Sequence, residues 1–246
     1  MRDLSIVPCR RAKVAPLRGL FLQELNAQCR YDAAHWRKGT HHYLVLRGSR
    51  AIGFGAVKDM HESPGTVFEF YLMPPFRREA PAILRDVVAA SGAEALECQS
   101  NDLFYASLVR QFSSEPGSDT ILFATGESNG LASPGAVVRR RHRRDRVFEH
   151  QVEPVGDFVV DAGGDVVGTG GFLLHYNAPF ADLFMEVRLD ARRRGYGSFL
   201  IQELIVESYL AGRVPAARTG VDNVASQRTL LKGGLRECGR MLRVSL

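Results

Sequence analysis

The chain repeats itself, and that repetition constrains its fold more than any single motif. Two glycines in "RAIGFGAV", Gly53 and Gly55, recur as Gly168 and Gly170 in "DVVGTGGF", 115 residues later. Each pair sits in a strand–turn–strand pattern, Tyr43 to Val57 in the first half and Phe158 to Leu174 in the second. The same offset carries Leu72 onto Val187, and each ends a strand that bends into a basic cluster and then an amphipathic helix. Farther on, "LECQSNDLFYASLVRQF" pairs with "ARTGVDNVASQRTLLKGGL": a strand ends at an Asn, Asn101 or Asn223, and a short helix follows. The offset there is 122, which places an insertion near Ala211 to Ala217. A duplicated α/β domain is the economical reading, with a chance likeness of two unrelated α/β units as the alternative.

The segment "GESNGLASPGAVVRRRHRRDR", Gly126 to Arg146, separates the halves. It clusters Gly, Ser, Asn and Pro and then carries six arginines between Arg139 and Arg146, so it reads as a linker followed by a basic strand or loop. The expected division is therefore a first domain over 1–125, a linker and basic segment over 126–146, and a second domain over 147–246. Ahead of the first repeat, Ala15 to Gly39 reads as a helix or two, and the second half has little room for a counterpart.

A net charge of +5 suits an anionic ligand but falls short of a dedicated nucleic-acid binder. The arginine run lacks interleaved aromatics beyond Phe148, which disfavours nucleic acid further and leaves a solvated basic segment as the first reading. Four cysteines stand singly, with no CxxC and no HExxH, so neither a disulfide framework nor a metal site is expected. Trp36, His35, His41 and His42 read as loop packing rather than a ligand cage. No signal peptide and no membrane span are legible, and a cytoplasmic location without a membrane partner is the expectation.

The densest chemistry lies in "LDARRRGYGSFLIQELIVESYL", Leu189 to Leu210. A hydrophobic strand, Leu183 to Val187, bends into Arg192, Arg193 and Arg194, then Gly195-Tyr196-Gly197 and Ser198 open a helix. Its apolar stripe is Phe199, Leu200, Leu204, Ile205 and Leu210. Glycines let a backbone turn tightly and approach a ligand without a Cβ between them. The first-turn N–H groups of a helix carry partial positive charge and can take a phosphate, and arginines add charge-assisted contacts. A solvated strand-to-helix turn would show the same glycines. The run is neither a Walker loop nor a dinucleotide fingerprint, since "GTGG" at Gly168 lies between strands.

The run from Val187 through Arg192 to Gly195 and Gly197 resembles motif A of the GNAT superfamily of acyl-CoA N-acyltransferases, V-x-P-x-x-[QR]-x-x-G-x-[GA], with Leu189 in place of the proline. "DNVASQRTLLKGGL" resembles the family's second motif, with Asn223 at a strand end, Ser226 opening the next helix and Gly234-Leu235 for the usual Gly-Phe. The resemblance covers Asp157 to the C-terminus and, more weakly, the first half. It implies two tandem GNAT domains, each a mixed sheet whose central parallel strands splay apart. It further implies that acetyl-CoA enters the gap, with its pyrophosphate on the amides of Arg193 to Ser198. The pantetheine would then lie along Val187 and Leu189, near Asn223 and Ser226, with an amine acceptor arriving from the opposite side. That acceptor is a small molecule or a peptide, and a homodimer stays open.

Amine attack on a thioester needs a proton acceptor and a donor for the carbonyl oxygen. Strand alternation puts Asp182, Phe184 and Glu186 on one face and Leu183, Met185 and Val187 on the other. Glu186 and Asp182 are thus candidate bases or amine-binding groups, unless each is a solvated or ion-paired strand residue. His175 and Tyr176 are candidates for the acceptor pocket. The tyrosine that many family members place in the last helix is Leu230 here, and Cys238 reads as incidental. In the first half Ala80-Pro81-Ala82 stands where the glycines should be, after Leu72-Met73-Pro74 and Arg77. Alanines crowd a phosphate and Pro81 lacks an N–H, so that half is expected to bind CoA poorly and to support the other. The reading is an N-acetyltransferase acting by direct attack in a ternary complex, with a non-catalytic acyl-CoA-binding or regulatory module as the alternative.

Overall fold

The computed structural model describes residues 3–60 and 63–246, which form two compact units, Met1–Asp119 with Arg240–Leu246 and Thr120–Gly239. Among the described residues no helix is long and apolar enough to cross a membrane.

The first unit opens with β1 (Leu4–Cys9) and α1 (Arg11–Leu25), followed by a 3-10 turn over Asp32–Trp36. Next come β2 (Thr40–Arg47), β3 (Arg50–Met60), β4 (Ser63–Leu72), a 3-10 turn over Pro74–Glu79 and α2 (Ala80–Ser91). The unit continues through β5 (Ala95–Gln99) and α3 (Leu103–Val109). Strands β1 to β4 form an antiparallel meander, and β4 meets β5 in parallel.

The second unit contains β6 (Thr120–Thr125), β7 (Val137–Arg140), β8 (Phe158–Ala162), β9 (Asp165–Leu173) and β10 (Phe180–Val187). A 3-10 turn over Leu189–Ala191 leads to α4 (Tyr196–Leu210), then β11 (Val214–Gly220), α5 (Val224–Lys232) and β12 (Leu235–Ser245). Strands β7 to β10 form the same antiparallel meander, and β10 meets β11 in parallel. Each unit is thus strand, turn, strand, bend, helix, strand and helix, as the repeat required.

The division differs from the sequence boundaries at both ends. β6 belongs to the second unit, where its residues Thr120 to Ala124 pair antiparallel with Gly220 to Ala216 of β11. The last residues of β12 belong to the first unit, where Met241 to Ser245 pair antiparallel with Gln99 to Ala95 of β5. In each unit the strand beside the parallel pair follows the other unit's last helix. The basic segment over 126–146 contributes the edge strand β7, in which Arg139 is fixed by Asp145 at 2.9 Å and Asp161 at 3.0 Å. Where the first unit has α1, the chain between β7 and β8 runs without regular structure over 141–157.

One glycine of each repeated pair seats a helix. A Cβ at Gly170 would lie 2.7 Å from the Phe184 carbonyl oxygen, 3.0 Å from Leu204 Cδ1 and 3.1 Å from Leu200 Cδ2. A Cβ at Gly55 would likewise sit 2.8 Å from Val87 Cγ1 of α2. Close packing lets α4 bury Phe199, Leu200, Ile201 and Leu204 on the sheet, each worth roughly 1.5–3 kcal/mol when fully buried. Ile201 joins that face, whereas Leu210, expected on it, is 76% exposed at the helix end. Gly170→Val should therefore cost roughly 1–3 kcal/mol and lower the thermal midpoint by several degrees. A melt indistinguishable from wild type would contradict this role.

Candidate active site

The parallel pair β10 and β11 is short. Its register runs through Phe180↔Val214, Ala181↔Pro215 and Asp182↔Ala216, and no further partners join the two strands among the described residues. Beyond Asp182, β10 continues to Val187 against β9 alone, while β11 continues to Gly220 against β6. The edge of β10 over Leu183–Val187 that faces away from β9 therefore keeps unpaired backbone groups. Beside it lies a cavity of about 770 Å³. Met185, Glu186 and Val187 of β10 form one wall. Ala225, Ser226, Arg228, Thr229 and Lys232 form another, on the exposed side of α5, whose first turn is capped by Asn223 Oδ1 accepting from the Ser226 N–H at 3.1 Å.

The third wall is the mouth of α4. Gly195 is the N-cap, with φ +88°, and Arg193 also adopts a positive φ, +64°. A side chain at such an angle is strained by roughly 1–2 kcal/mol, which Arg193 bears and glycine avoids. Among the described residues, no hydrogen bond engages the backbone N–H of any residue from Arg193 to Ser198; the first to close is Phe199 N–H on the Gly195 carbonyl at 3.0 Å. Helix geometry leaves such amides unpartnered and partly positive. Arg193, Gly195, Tyr196, Gly197 and Ser198 line the cavity, as does Arg192, whose Nε donates to the Val187 carbonyl at 3.1 Å and ties the bend to the strand end. Arg77 Nε does the same to the Leu72 carbonyl at 3.0 Å in the first unit. Leu189 and Arg194 are exposed and lie outside the lining.

The two carboxylates of β10 are both engaged. Glu186 accepts three backbone N–H bonds, from Gln151 at 2.9 Å, Val152 at 3.1 Å and Glu153 at 2.9 Å. Burial would raise its pKa, but these three amides, with His150 nearby, outweigh burial and hold it below the usual value. A carboxylate so saturated is a weak base, and its role here is to anchor the loop. Asp182 pairs with His175 Nε2 at 2.9 Å and with Arg218, while its Oδ1 is buried with no hydrogen-bond partner among the described residues. It lies where β10 and β11 are still paired, upstream of the cavity, and does not line it. His175 and Tyr176, with rings edge to face at 4.8 Å, belong to that cluster and are also outside the lining.

The loop anchored by Glu186 supplies what the sequence reading missed. Val152 and Glu153 line the cavity. His150 Nδ1 donates to the Glu153 carbonyl at 2.9 Å, Thr169 Oγ1 lies 3.1 Å from His150 Nε2, and Gly156 N–H donates to the same Thr169 oxygen at 3.2 Å. Burial raises the pKa of Glu153, against the pull of Arg218 and with a push from the Glu186 charge. No helix or strand pattern marks residues 150–153, so sequence periodicity had nothing to offer there. The face of α5 was accessible to it: Ala225, Arg228, Thr229 and Lys232 recur at helical spacing after the Asn223 cap.

The same place in the first unit is filled. Strands β4 and β5 pair only through Thr66↔Ala95 and Val67↔Leu96 among the described residues. Past them, Phe68, Glu69, Cys98 and Gln99 enclose about 10 Å³, room for roughly one water. The segment after α1 occupies the rest. The Gln99 side chain donates to the Gln28 carbonyl at 2.8 Å and accepts from Arg30 N–H, and Tyr31 donates to Glu97 at 2.5 Å. Arg18 and His35 hold Glu69, each at 2.9 Å; burial would raise that carboxyl, but they outweigh it and bring it to about 2. His42 Nε2 is 2.9 Å from His35 Nδ1, whereas Trp36 is exposed under Arg11. At the helix mouth, the 3-10 turn runs straight into α2, Ala80 N–H is bonded to the Arg77 carbonyl, and Glu79 stands where the repeat has Arg194. The cap of α3 is Asp102, accepting from Tyr105 N–H at 3.0 Å, so Asp102 rather than Asn101 is the counterpart of Asn223.

Among the described residues no group of three or more His, Cys, Asp or Glu side chains is arranged to hold a metal ion. Glu186→Leu removes the acceptor for three N–H groups and should cost about 1–3 kcal/mol, read as a lower urea midpoint. An unchanged midpoint would contradict the anchoring role.

No curated protein matches the sequence. The sequence model of the Acetyltransferase (GNAT) family matches residues 129–234, within the second unit. Among solved structures, an acetyltransferase of the GNAT family from Colwellia psychrerythraea is similar over 98% of this chain and 99% of its own, with a TM-score of 0.74 at 14% identity. A GCN5-related N-acetyltransferase from Sphaerobacter thermophilus is similar over 99% and 96%, with a TM-score of 0.61 at 15% identity. A tandem GNAT protein from the clavulanic acid biosynthesis pathway is similar over 99% and 98%, with a TM-score of 0.55 at 14% identity. The structural likenesses show the GNAT fold over the whole chain, the family match places residues 129–234 in the Acetyltransferase (GNAT) family, and together they support an acyltransferase.

Proposed function

We propose that the protein transfers an acetyl group from acetyl-CoA to a primary amine by direct attack in a ternary complex, and that the second unit holds the donor. The observation that carries this reading is the run of unpaired amides from Arg193 to Ser198, opening on a cavity of about 770 Å³ beside the unpaired edge of β10. The amides and the Arg193 side chain suit a pyrophosphate, which accepts from several N–H groups at a helix N-terminus. The open edge at Val187 suits an amide-bearing arm that pairs like a strand, with Ser226 and Thr229 on the facing wall. Arg228 and Lys232 add positive charge to the same cavity. Acetyl-CoA would supply the activated acyl group; this chain's residues bind it, orient it and manage the amine's protons. Leu230 is buried in the core, so α5 offers no phenol at that position.

The filled gap and the bonded Ala80 amide both argue that the first unit binds no CoA. Titration calorimetry with acetyl-CoA tests the assignment. Wild type should bind, and Gly195→Glu, which puts a strained residue and a carboxylate among the amides, should bind about 100-fold more weakly, a change of about 2.7 kcal/mol. Equal affinities, or no binding to wild type, would refute it.

A further inference from the structure

We propose that Glu153 takes the proton from the acceptor ammonium, and that Glu186 is the positioning residue that delivers it. The inference rests on the acyl-transfer reading above and names the group that reading lacks. Two carboxylates line the cavity, Glu153 and Glu186. Glu186 has both oxygens occupied by backbone N–H groups, and one of the three donors is the amide of Glu153 itself. The Glu153 side chain takes no hydrogen bond or ion pair from the described residues, and it is half-buried at the cavity wall. A proton acceptor needs an open lone pair within reach of the reacting amine and a backbone that does not move. The loop meets the second need from three sides: the Glu186 clamp, the bond from His150 Nδ1 to the Glu153 carbonyl, and the Thr169 hydroxyl between His150 and Gly156.

The step balances without a further reactant. The acceptor ammonium passes one proton to the Glu153 carboxylate. The freed nitrogen lone pair attacks the thioester carbonyl carbon, the C–N bond forms, and the C–S bond breaks with its electron pair going to sulfur. The nitrogen's second proton leaves with the thiolate as free thiol, and Glu153 returns its proton to water. Burial and the adjacent Glu186 charge raise the carboxyl of Glu153, while Arg218 and His150 oppose them. Arg192 and Arg193 from the cradle and Arg228 and Lys232 from α5 face the same cavity. A raised pKa moves an acid toward the working pH of a general base.

The test measures acetyl-CoA binding by calorimetry and thiol release with n-propylamine, putrescine, lysinamide and a short peptide with a free N-terminus. Glu153→Gln should bind acetyl-CoA as wild type does. With the best amine its kcat should fall by about 100-fold near neutral pH, and the deficit should shrink as pH rises and the amine deprotonates in solution. Glu186→Gln should lower kcat less, leave acetyl-CoA binding unchanged and displace the acidic limb of the pH profile, which a merely structural role would not move. Thiol release unaltered in Glu153→Gln, or a wild type that binds acetyl-CoA and releases no thiol with any of the four amines, overturns the proposal. A wild type that does not bind acetyl-CoA overturns the reading beneath it instead.

Discussion

Everything at the site follows from where β10 and β11 stop pairing. Three residue pairs hold the parallel strands together, and after Asp182 and Ala216 each strand keeps one partner, on its outer side. A strand edge inside a folded unit must satisfy its N–H and C=O groups somehow, because burying them unpaired is costly. The edge at Leu183–Val187 is therefore a demand for a partner that can pair like a strand. The helix that follows adds a second demand, since its first-turn amides have no acceptor among the described residues. One ligand with an amide-bearing arm and a phosphate end meets both. The bend between them is set by Arg192, which ties its guanidinium to the Val187 carbonyl and keeps the helix mouth at the strand end.

The first unit performs the same experiment with a different outcome. Its parallel pair is shorter still, two residue pairs, and Arg77 ties the same bend to Leu72. There the demands are met from within the chain. The Gln99 side chain pairs with the backbone of Gln28 and Arg30, the Glu69 carboxylate is ion-paired with Arg18 and in contact with His35, and the 3-10 turn feeds α2 without leaving an open mouth. What remains is about 10 Å³ against about 770 Å³ in the second unit. α1 and the segment after it do this filling, and the second unit has no such helix between β7 and β8. Its place is taken by an irregular loop, held by Glu186 through three backbone amides and by His150 and Thr169.

Much of this was legible in the residues. Glycine pairs at a fixed offset announced the duplication, and one of each pair, Gly55 and Gly170, proved to seat α2 and α4 on their sheets. The strand, bend, arginine and glycine order placed the helix mouth, because periodicity and φ requirements are local properties. Two things were not local. Which sheet β6 and β12 join depends on pairing partners far along the chain, and an apolar run carries no record of its partner. Glu186 and Asp182 faced the right side of β10, but the amides of residues 151–153 and the guanidinium of Arg218 that engage them come from distant positions. Glu153 was invisible for the same reason: only the fold brings its loop to the cavity.

The central claim is that one of two copies of the same strand-to-helix bend takes the donor. Amide hydrogen exchange with and without acetyl-CoA reads both copies at once. Binding should slow exchange at Arg193 to Ser198 and along Leu183–Val187, and leave Ala80 and Ala82 to Leu84 unchanged. Protection at the start of α2, or none at the start of α4, would contradict the account.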